Sequence, residues 1–306
     1  MNLTLGVDGP LDVAVTLARY RIWGEDPANR LDEGVFRRVL RIDGRRLPYE
    51  VRWEGGVDDA RLQISIPGVR GDRMAASVNH EVRRIFGLDF DLPGFYRMAK
   101  ADPALGPLVE PLYGLRPTLS PDPFEMLVGA IIAQQVNLTF AFTLRARLVR
   151  RYGVAATIGR ALVYAFPEPS ALAQAPVAAL REMQFSERKA EYVLGLAQAA
   201  AAGGFDFTTM AAADSTATIE RLTALRGLGR WTADWFLARC LGRGDVCAAG
   251  DLAVGKAFNH YYGRRRPLSE DAIRRRAAGW GAYQNLAVHY LLAGMRRGRS
   301  AAGGGT

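Results

Sequence analysis

The amino-acid sequence predicts two domains, an α+β domain with an antiparallel sheet and, after it, an all-α domain. The chain has 306 residues, which is long for one domain and comfortable for two. Strand patterning is confined to the N-terminal part, and beyond residue 95 the apolar residues recur at helical spacing. We therefore expect domains at 1–88 and 89–297, and a disordered Gly/Ala-rich tail over 298–306.

The first domain is predicted to form strands over residues 11–67. Residues 62–66 alternate apolar and polar side chains, which is the period of a half-buried strand. The runs 36–42 and 49–53 are rich in β-forming residues and are separated by Asp-Gly and Gly-Gly turn signals. The period then changes, and residues 72–86 are predicted to form an amphipathic helix that closes the sheet.

The second domain contains several helices whose starts are marked by capping residues. Asp122-Pro123 opens a long apolar segment that reaches Tyr152. Ser186 opens a helix that stops at Gly203. Further helices are expected to start at Pro169, Pro176 and Asp214 and to cover 230–241, 252–262, 269–278 and 281–295.

Composition excludes several classes of protein. Hydrophobic residues make up 49% and charged residues 23%, so the chain is not globally disordered. Its 2 cysteines cannot form a disulfide framework or a cysteine-ligated iron–sulfur cluster, and no histidine/cysteine spacing fits zinc. No signal peptide and no apolar run of about 18 residues are present. We expect a cytoplasmic, nucleoid-associated protein without zinc or an iron–sulfur cluster.

The charge of the chain indicates a polyanionic partner. Lysine and arginine number 40 against 31 acidic residues, which gives a net charge of +9. Residues 251–306 hold ten of these basic residues against three acidic ones, so this segment alone carries +7. A basic protein of this size is typical of those that bind nucleic acid.

The most informative segment is the run 225–234, Leu-Arg-Gly-Leu-Gly-Arg-Trp-Thr-Ala-Asp. Its two glycines allow a sharp turn and a close approach to another surface. The N–H groups at the start of the following helix would then point outward beside the positive end of its dipole, where phosphate is favoured. This is the pattern of a helix–hairpin–helix that holds the DNA backbone, although an ordinary helical corner is the alternative. The predicted DNA contacts here are Arg226, Gly227, Leu228, Gly229, Arg230 and Thr232.

An aspartate follows this hairpin. Asp251 comes directly after the small-residue segment 246–250 and opens a predicted helix, where it could act simply as an N-cap. With the hairpin, this pattern resembles the DNA-3-methyladenine glycosylase II family, within the helix–hairpin–helix/Gly-Pro-Asp superfamily of base-excision enzymes. The resemblance covers most of the chain. Gln-Gln-Val-Asn at 134–137 is similar to the family's Gln-Gln-Ile/Val-Ser turn, and 280–287 is similar to its last-helix segment.

The resemblance implies a fold, a reaction and a set of residues. The first domain would be a small sheet related to the TATA-binding fold, and Asp251 would be the catalytic residue. Gln135 would be a wedge that fills the gap left by a flipped base, with an ordinary surface glutamine as the alternative. A monovalent cation, Na⁺ or K⁺, would be held by the backbone carbonyls of Thr223, Leu225 and Leu228; no other cofactor is required. The partner would be double-stranded DNA with alkylated bases, bound by a monomer.

Two tryptophans lie four residues apart on the second hairpin helix and share a face. Trp231 and Trp235 could pack in the core, or they could form a base-pocket wall near Asp251. Their electron-rich rings would attract a cationic alkylated purine by about 1 kcal/mol. Some superfamily members carry a lysine nucleophile at the position of Trp231 and cleave the DNA strand. The resemblance therefore implies a monofunctional glycosylase that leaves an abasic site.

The sequence departs from the family pattern at four positions. Arg226 and Ala249 stand where proline is usual, and Leu252 and Leu292 stand where some members carry aromatic pocket residues. These departures leave the expected fold and reaction unchanged, but they affect which damaged bases the protein would accept. Two alternatives stay open at this point, a non-catalytic helix–hairpin–helix DNA-binding protein and a glycosylase of the same fold that acts on deaminated or oxidised bases.

Overall fold

The N-terminal domain is an antiparallel sheet with one covering helix. The computed structural model describes residues 1–69, 71–204, 207–263 and 266–303. The strands pair in the order β1-β5-β4-β3-β2, and the following helix buries Val78, Val82 and Ile85 against the sheet. The elements are β1 (Asn2–Gly6), α1 (Val13–Leu17), α2 (Arg19–Ile22), β2 (Arg30–Asp32), β3 (Val35–Ile42), β4 (Arg45–Glu54), β5 (Arg61–Ser65) and α3 (Asp72–Ile85).

The strand prediction for residues 11–67 was wrong at its start. Residues 13–22 form the two short helices α1 and α2, because the carboxylate of Asp12 accepts a hydrogen bond from the Val15 N–H at 3.0 Å and so caps the first turn. Val13 and Leu17 are buried at helical spacing. β1, which lies before the predicted range, pairs with β5 instead and forms an edge of the sheet.

The second domain is mainly helical. The predicted helix starts at Asp122, Ser186 and Asp214 are confirmed, since each side chain accepts a backbone N–H of the first turn. The helices are α4 (Leu92–Ala99), α5 (Gly106–Val109), α6 (Pro123–Ala133), α7 (Leu138–Tyr152), α8 (Pro169–Ala173), α9 (Val177–Glu182), α10 (Glu187–Ala201), α11 (Phe207–Ala212), α12 (Ser215–Thr223), α13 (Arg230–Phe236), α14 (Leu252–Tyr262), α15 (Glu270–Ala278) and α16 (Gln284–Gly303), with a π-helical turn at Leu237–Leu241 and a 3₁₀ turn at Gly281–Tyr283. Within the described residues, every helix is too short or too polar to span a bilayer.

Two expectations for the second domain were wrong. Strand patterning was judged absent, but β6 (Val154–Ile158) and β7 (Ala161–Ala165) form a hairpin that buries Ile158 and Val163 against Val39 of the N-terminal sheet. The tail expected to be disordered from residue 298 continues α16 as far as Gly303. Arginine and alanine favour helix, so an established helix extends through them. Residues 304–306 lie outside the described residues.

Among the described residues, the helices form two large apolar cores. The first is built around α6, α7 and α10, with Phe124, Val193 and Phe236 among its buried residues. The second is built around α4, α14 and α16. α13 belongs to the first core through Phe236, whereas its Trp235 packs against the second. The seam between the two cores therefore lies where α13 meets the start of α14.

A buried ionic network joins the N-terminal sheet to the helical domain. Arg38 of β3 contacts Glu125 of α6 at 2.6 Å and Glu81 of α3 at 3.1 Å. Arg145 of α7 contacts Glu125 and, at 3.0 Å, Asp26. Burial alone would raise the pKa of Glu125, but the charges of Arg38 and Arg145 outweigh it and hold that pKa well below its ordinary value. The network thus fixes α6 and α7 against the sheet.

Removal of the Glu125 charge should destabilise the protein at neutral pH. Glu125→Gln leaves Arg38 and Arg145 buried without their shared carboxylate, which typically costs about 3–5 kcal/mol of unfolding free energy. Because the folded-state pKa lies below the ordinary 4.5, this contribution is present above that pH and is lost as the pH falls. Urea unfolding at pH 7 and below pH 4.5 should show a large difference between wild type and variant that narrows in acid. A difference that is constant or grows in acid would contradict the assignment.

Candidate active site

Asp251 lies at the seam between the two cores, at the N-cap of α14. Its Oδ1 accepts the backbone N–H groups of Ala253 at 2.8 Å and Val254 at 3.1 Å. Its Oδ2 accepts the indole Nε1–H groups of Trp231 at 2.7 Å and Trp235 at 3.1 Å. All four partners are donors, which is the arrangement that an ionised carboxylate needs because it can only accept. Asp251 therefore caps α14 and at the same time accepts hydrogen bonds from both tryptophans.

The segment before Asp251 is held by small buried residues. The Asp251 N–H donates to the Ala248 carbonyl at 3.0 Å, and the Ala249 N–H donates to the Cys247 carbonyl at 2.8 Å. Cys247, Ala248 and Ala249 are buried, so larger side chains here would have to displace packed neighbours. A Cβ at Gly250 would lie 3.2 Å from the Glu270 carboxylate. This compact turn delivers Asp251 to the start of α14 in one orientation.

The two tryptophans present their indole edges to the carboxylate. They lie on one face of α13, as their spacing predicts, and their N–H groups converge on one oxygen atom. Trp235 also packs edge-to-face on His289 of α16, with ring centroids 6.0 Å apart. Burial lowers the pKa of His289 to about 4, so a neutral imidazole supports Trp235 near neutral pH. The predicted role of both tryptophans in stacking on a flipped base remains an expectation.

A second aspartate, Asp234 of α13, stabilises this arrangement, and its role was not predicted from the sequence. Asp234 is 1% exposed and pairs with Arg230 and with Arg274 of α15, each at 2.8 Å. Arg274 also donates to the Cys247 carbonyl at 3.3 Å. These contacts tie α13, α15 and the turn before Asp251 together. The only sequence signal was the spacing of Arg230 and Asp234, an i,i+4 pair on a helix.

The hairpin turn between α12 and α13 uses its two glycines differently. Gly227 has φ +93°, and a Cβ there would lie 2.4 Å from Cγ of Tyr192, so the fold itself requires glycine. A Cβ at Gly229 would meet no atom within 4 Å. The Leu228 and Thr232 side chains are buried, so at these two positions only the backbone can reach a partner. Arg226 is exposed and pairs with Glu191 at 3.2 Å.

The turn between α6 and α7 presents Gln135 to solvent. Gln135 is exposed and has φ +55°, in the left-handed region that side chains rarely adopt. Its neighbour Gln134 donates from Nε2 to the Gly227 carbonyl at 2.8 Å. The turn and the hairpin therefore lie side by side and share a cavity of about 570 Å³. Sequence reasoning selected Gln135 and missed Gln134, whose acceptor is a backbone carbonyl.

The family described as "HhH-GPD superfamily base excision DNA repair protein" matches residues 128–282. This range is just over half of the chain and contains the hairpin, both tryptophans and Asp251. The chain belongs to the HhH-GPD superfamily of base excision DNA repair proteins. It is a glycosylase of this superfamily, and its N-terminal sheet lies outside the matched range.

Individual relatives agree with this membership. The DNA-3-methyladenine glycosylase of Bacillus subtilis is 31% identical over 206 residues, which cover 67% of this chain and 68% of that protein. A solved 3-methyladenine DNA-glycosylase from Archaeoglobus fulgidus has a TM-score of 0.84 at 27% identity, over 95% of this chain and 97% of that chain. The resemblance expected from the sequence is confirmed.

The fold is shared with a glycosylase of another specificity. An 8-oxoguanine glycosylase/lyase of Clostridium acetobutylicum, in complex with double-stranded DNA, has a TM-score of 0.76 at 16% identity. The alignment covers 97% of this chain and 98% of that chain. At this level of identity the likeness concerns the fold alone, so it does not indicate which base this glycosylase removes.

Loss of an indole N–H group should slow base excision even when an aromatic ring is kept at that position. Trp231→Phe keeps an aromatic ring and removes one donor to Asp251; a hydrogen bond to a charged group is worth about 1.5–3 kcal/mol. We expect single-turnover base excision to slow by about tenfold. Trp53→Phe, in the N-terminal sheet, is the matched control. A Trp231→Phe variant with the wild-type rate would show that the ring face, and not the donor, serves the reaction.

Proposed function

We propose that this glycosylase is a monofunctional DNA-3-methyladenine glycosylase II, which hydrolyses the N-glycosidic bond of alkylated bases over a broad range and leaves an abasic site. The observation that carries the proposal is the carboxylate of Asp251, held at a helix start by two backbone N–H and two indole N–H donors. The protein would act as a monomer on double-stranded DNA.

The chemistry follows from the charge that develops during bond cleavage. As the N-glycosidic bond breaks, its electron pair leaves with the base and positive charge builds on the sugar at C1′. A fixed carboxylate close to C1′ stabilises that charge, and its rigid contacts cost little reorganisation during the reaction. Water then bonds to C1′ and loses a proton to Asp251 or to solvent. Asp251 acts in both steps without forming a covalent bond.

Hydrolysis of the N-glycosidic bond without strand cleavage is supported by the positions of the lysines. A lyase step needs an amine that can form a Schiff base with C1′. Trp231 occupies the position where such an amine would stand, and it donates to Asp251. Lys189 donates to a carbonyl of α6, Lys256 is exposed on α14, and Lys100 follows α4.

Alkylated bases suit this site for electrostatic and chemical reasons. Trp231 and Trp235 would line the base pocket, and a cationic alkylated purine gains about 1 kcal/mol or more from an indole face. Such a base is also a good leaving group, so the reaction itself discriminates against normal bases. Leu252, 74% exposed beside Asp251, offers an open apolar surface, which would accept bases of different shapes and so supports a broad range.

DNA would be held by the hairpin and opened by the neighbouring turn. The N–H groups at the start of α13 and the bare surface at Gly229 can approach a phosphate closely. Arg226 and Arg230 are exposed, although each is paired with a carboxylate of the protein, and their guanidinium groups would contact the phosphates. Gln135 would insert into the base stack after the damaged base leaves it. Extrusion of the base costs about a few kcal/mol, and the cost is lower for a poorly paired base.

We further propose that a monovalent cation, Na⁺ or K⁺, binds at the hairpin when DNA is bound. Thr223 is the last residue of α12, and the final carbonyls of a helix lack intrahelical partners. The Leu225 carbonyl accepts the Leu228 N–H at 3.1 Å, which keeps the turn compact. The carbonyls of Thr223, Leu225 and Leu228 would supply neutral oxygen ligands of the kind that suit such ions. The cation would neutralise a DNA phosphate.

The test is release of damaged bases by wild type and by Asp251→Asn. Duplexes should carry 3-methyladenine, 7-methylguanine, 1-methyladenine, ethenoadenine, hypoxanthine or 8-oxoguanine. Wild type should release the alkylated bases, and the neutral variant should be at least about a hundredfold slower because it loses the charge opposite C1′. Its affinity for DNA should be equal or higher, since a negative charge near phosphates has been removed.

Four results would each contradict the proposal. Equal release rates for wild type and Asp251→Asn would remove the carboxylate from the mechanism. Binding without release of any base would indicate a non-catalytic DNA-binding protein. Release of hypoxanthine or 8-oxoguanine alone would indicate the other specificity. A covalent DNA adduct trapped by borohydride would contradict the absence of a lyase step.

A further inference from the structure

The turn that carries Gln135 cannot hold its shape by local interactions alone. A side-chain-bearing residue at φ +55° costs about 1–3 kcal/mol, and such strain persists only where the surroundings fix it. α6 ends at Ala133 and α7 begins at Leu138, so only four residues connect the two helices. The Asn137 side chain caps α7 by accepting the Phe140 N–H at 2.8 Å, but this contact does not connect the turn to the rest of the DNA-facing surface.

Gln134 makes the connection to the hairpin. Its Nε2 donates to the Gly227 carbonyl at 2.8 Å, and the bond is partly shielded from water. Gln134 is the residue directly before Gln135, and Gly227 lies in the centre of the hairpin turn. This hydrogen bond therefore connects the segment that carries the wedge directly to the phosphate-binding loop.

α10 makes a second connection to both segments. Lys189 donates from Nζ to the Ile132 carbonyl of α6 at 2.7 Å. One turn further along α10, the Tyr192 ring lies against Gly227, where a Cβ would approach Cγ to 2.4 Å. Glu191 pairs with Arg226 of the hairpin. The end of α6 together with the turn over residues 134–137 (the wedge turn), the hairpin and α10 therefore contact one another in pairs.

We propose that Gln134 and Lys189 are positioning residues for base flipping, which fix the wedge turn against the hairpin so that phosphate binding and insertion of Gln135 occur together. This inference rests on the proposed function. Both residues donate to backbone carbonyls and would act on the reaction only through the position of the turn. Loss of either contact should let the wedge turn move relative to the bound backbone, and a displacement of about 1 Å at such a step can cost up to a hundredfold in rate.

The proposal predicts an effect that depends on how the damaged base is paired. A fully paired base must be expelled from the stack, so the position of the wedge matters most there. A damaged base opposite an abasic analogue has lost its pairing partner, and its removal from the stack costs less. A merely structural role for Gln134 or Lys189 would slow excision of both substrates equally.

The experiment compares Gln134→Leu and Lys189→Met with two controls. Gln198→Leu removes a glutamine that also donates to a backbone carbonyl, that of Ala173 at 3.4 Å, at the other end of α10. Lys100→Met removes an exposed lysine after α4. Single-turnover excision is measured on one lesion placed opposite its normal partner and opposite tetrahydrofuran. We expect about a tenfold loss or more on the paired substrate, a much smaller loss on the unpaired one, and wild-type rates for both controls.

A second measurement separates this inference from the proposed function. In an Asp251→Asn background, 2-aminopurine beside the lesion reports unstacking without any chemistry. Gln134→Leu and Lys189→Met should reduce the fluorescence rise on DNA binding by half or more, while the melting temperature of the protein stays near that of the Gln198→Leu control. An unchanged fluorescence rise, or equal rate losses on the paired and unpaired lesions, would overturn the inference. A wild-type protein that flips the base but releases none would overturn only the proposed function.

Discussion

The carboxylate of Asp251 is held by four donors, and the rest of the structure is arranged around that constraint. Two donors come from the first turn of α14, and two come from Trp231 and Trp235 on α13. α13 packs in one apolar core and α14 in the other, so the carboxylate is fixed only while both cores keep their relative position. The Asp234–Arg274 pair joins the helices beside the site. A preorganised charge is what an oxocarbenium-like transition state requires.

The N-terminal sheet stabilises the two helices that flank the turn carrying Gln135. Its Arg38 reaches Glu125 on α6, and Glu125 reaches Arg145 on α7, so these two helices are held together below the turn that carries Gln135. Arg116, fully buried at the junction, donates to the backbone carbonyls of Asp8, Pro10, Gly87, Leu88 and Phe90. The sheet lies outside the range that matches the superfamily, yet it stabilises α6 and α7, which extend into that range.

Local signals in the sequence were sufficient for the hairpin, most helix starts and the position of Asp251, because glycines and capping side chains act within a few residues of themselves. The β6–β7 hairpin was missed because its short strands become stable only against Val39, far away in the chain. The indole N–H contacts to Asp251 depend on the packing of α13 against α14, which spacing alone does not encode. Gln134 and Lys189 were missed because their acceptors are backbone carbonyls, which carry no side-chain signature.

The central claim is that Asp251 recognises positive charge on the sugar. The most direct measurement is the affinity for two duplexes that differ only at the lesion position, one with a cationic pyrrolidine in place of the sugar and one with neutral tetrahydrofuran. Wild type should prefer the cationic analogue by about a hundredfold or more, as transition-state mimics generally bind more tightly, and Asp251→Asn should lose most of this preference. An equal preference in both proteins would contradict the claim.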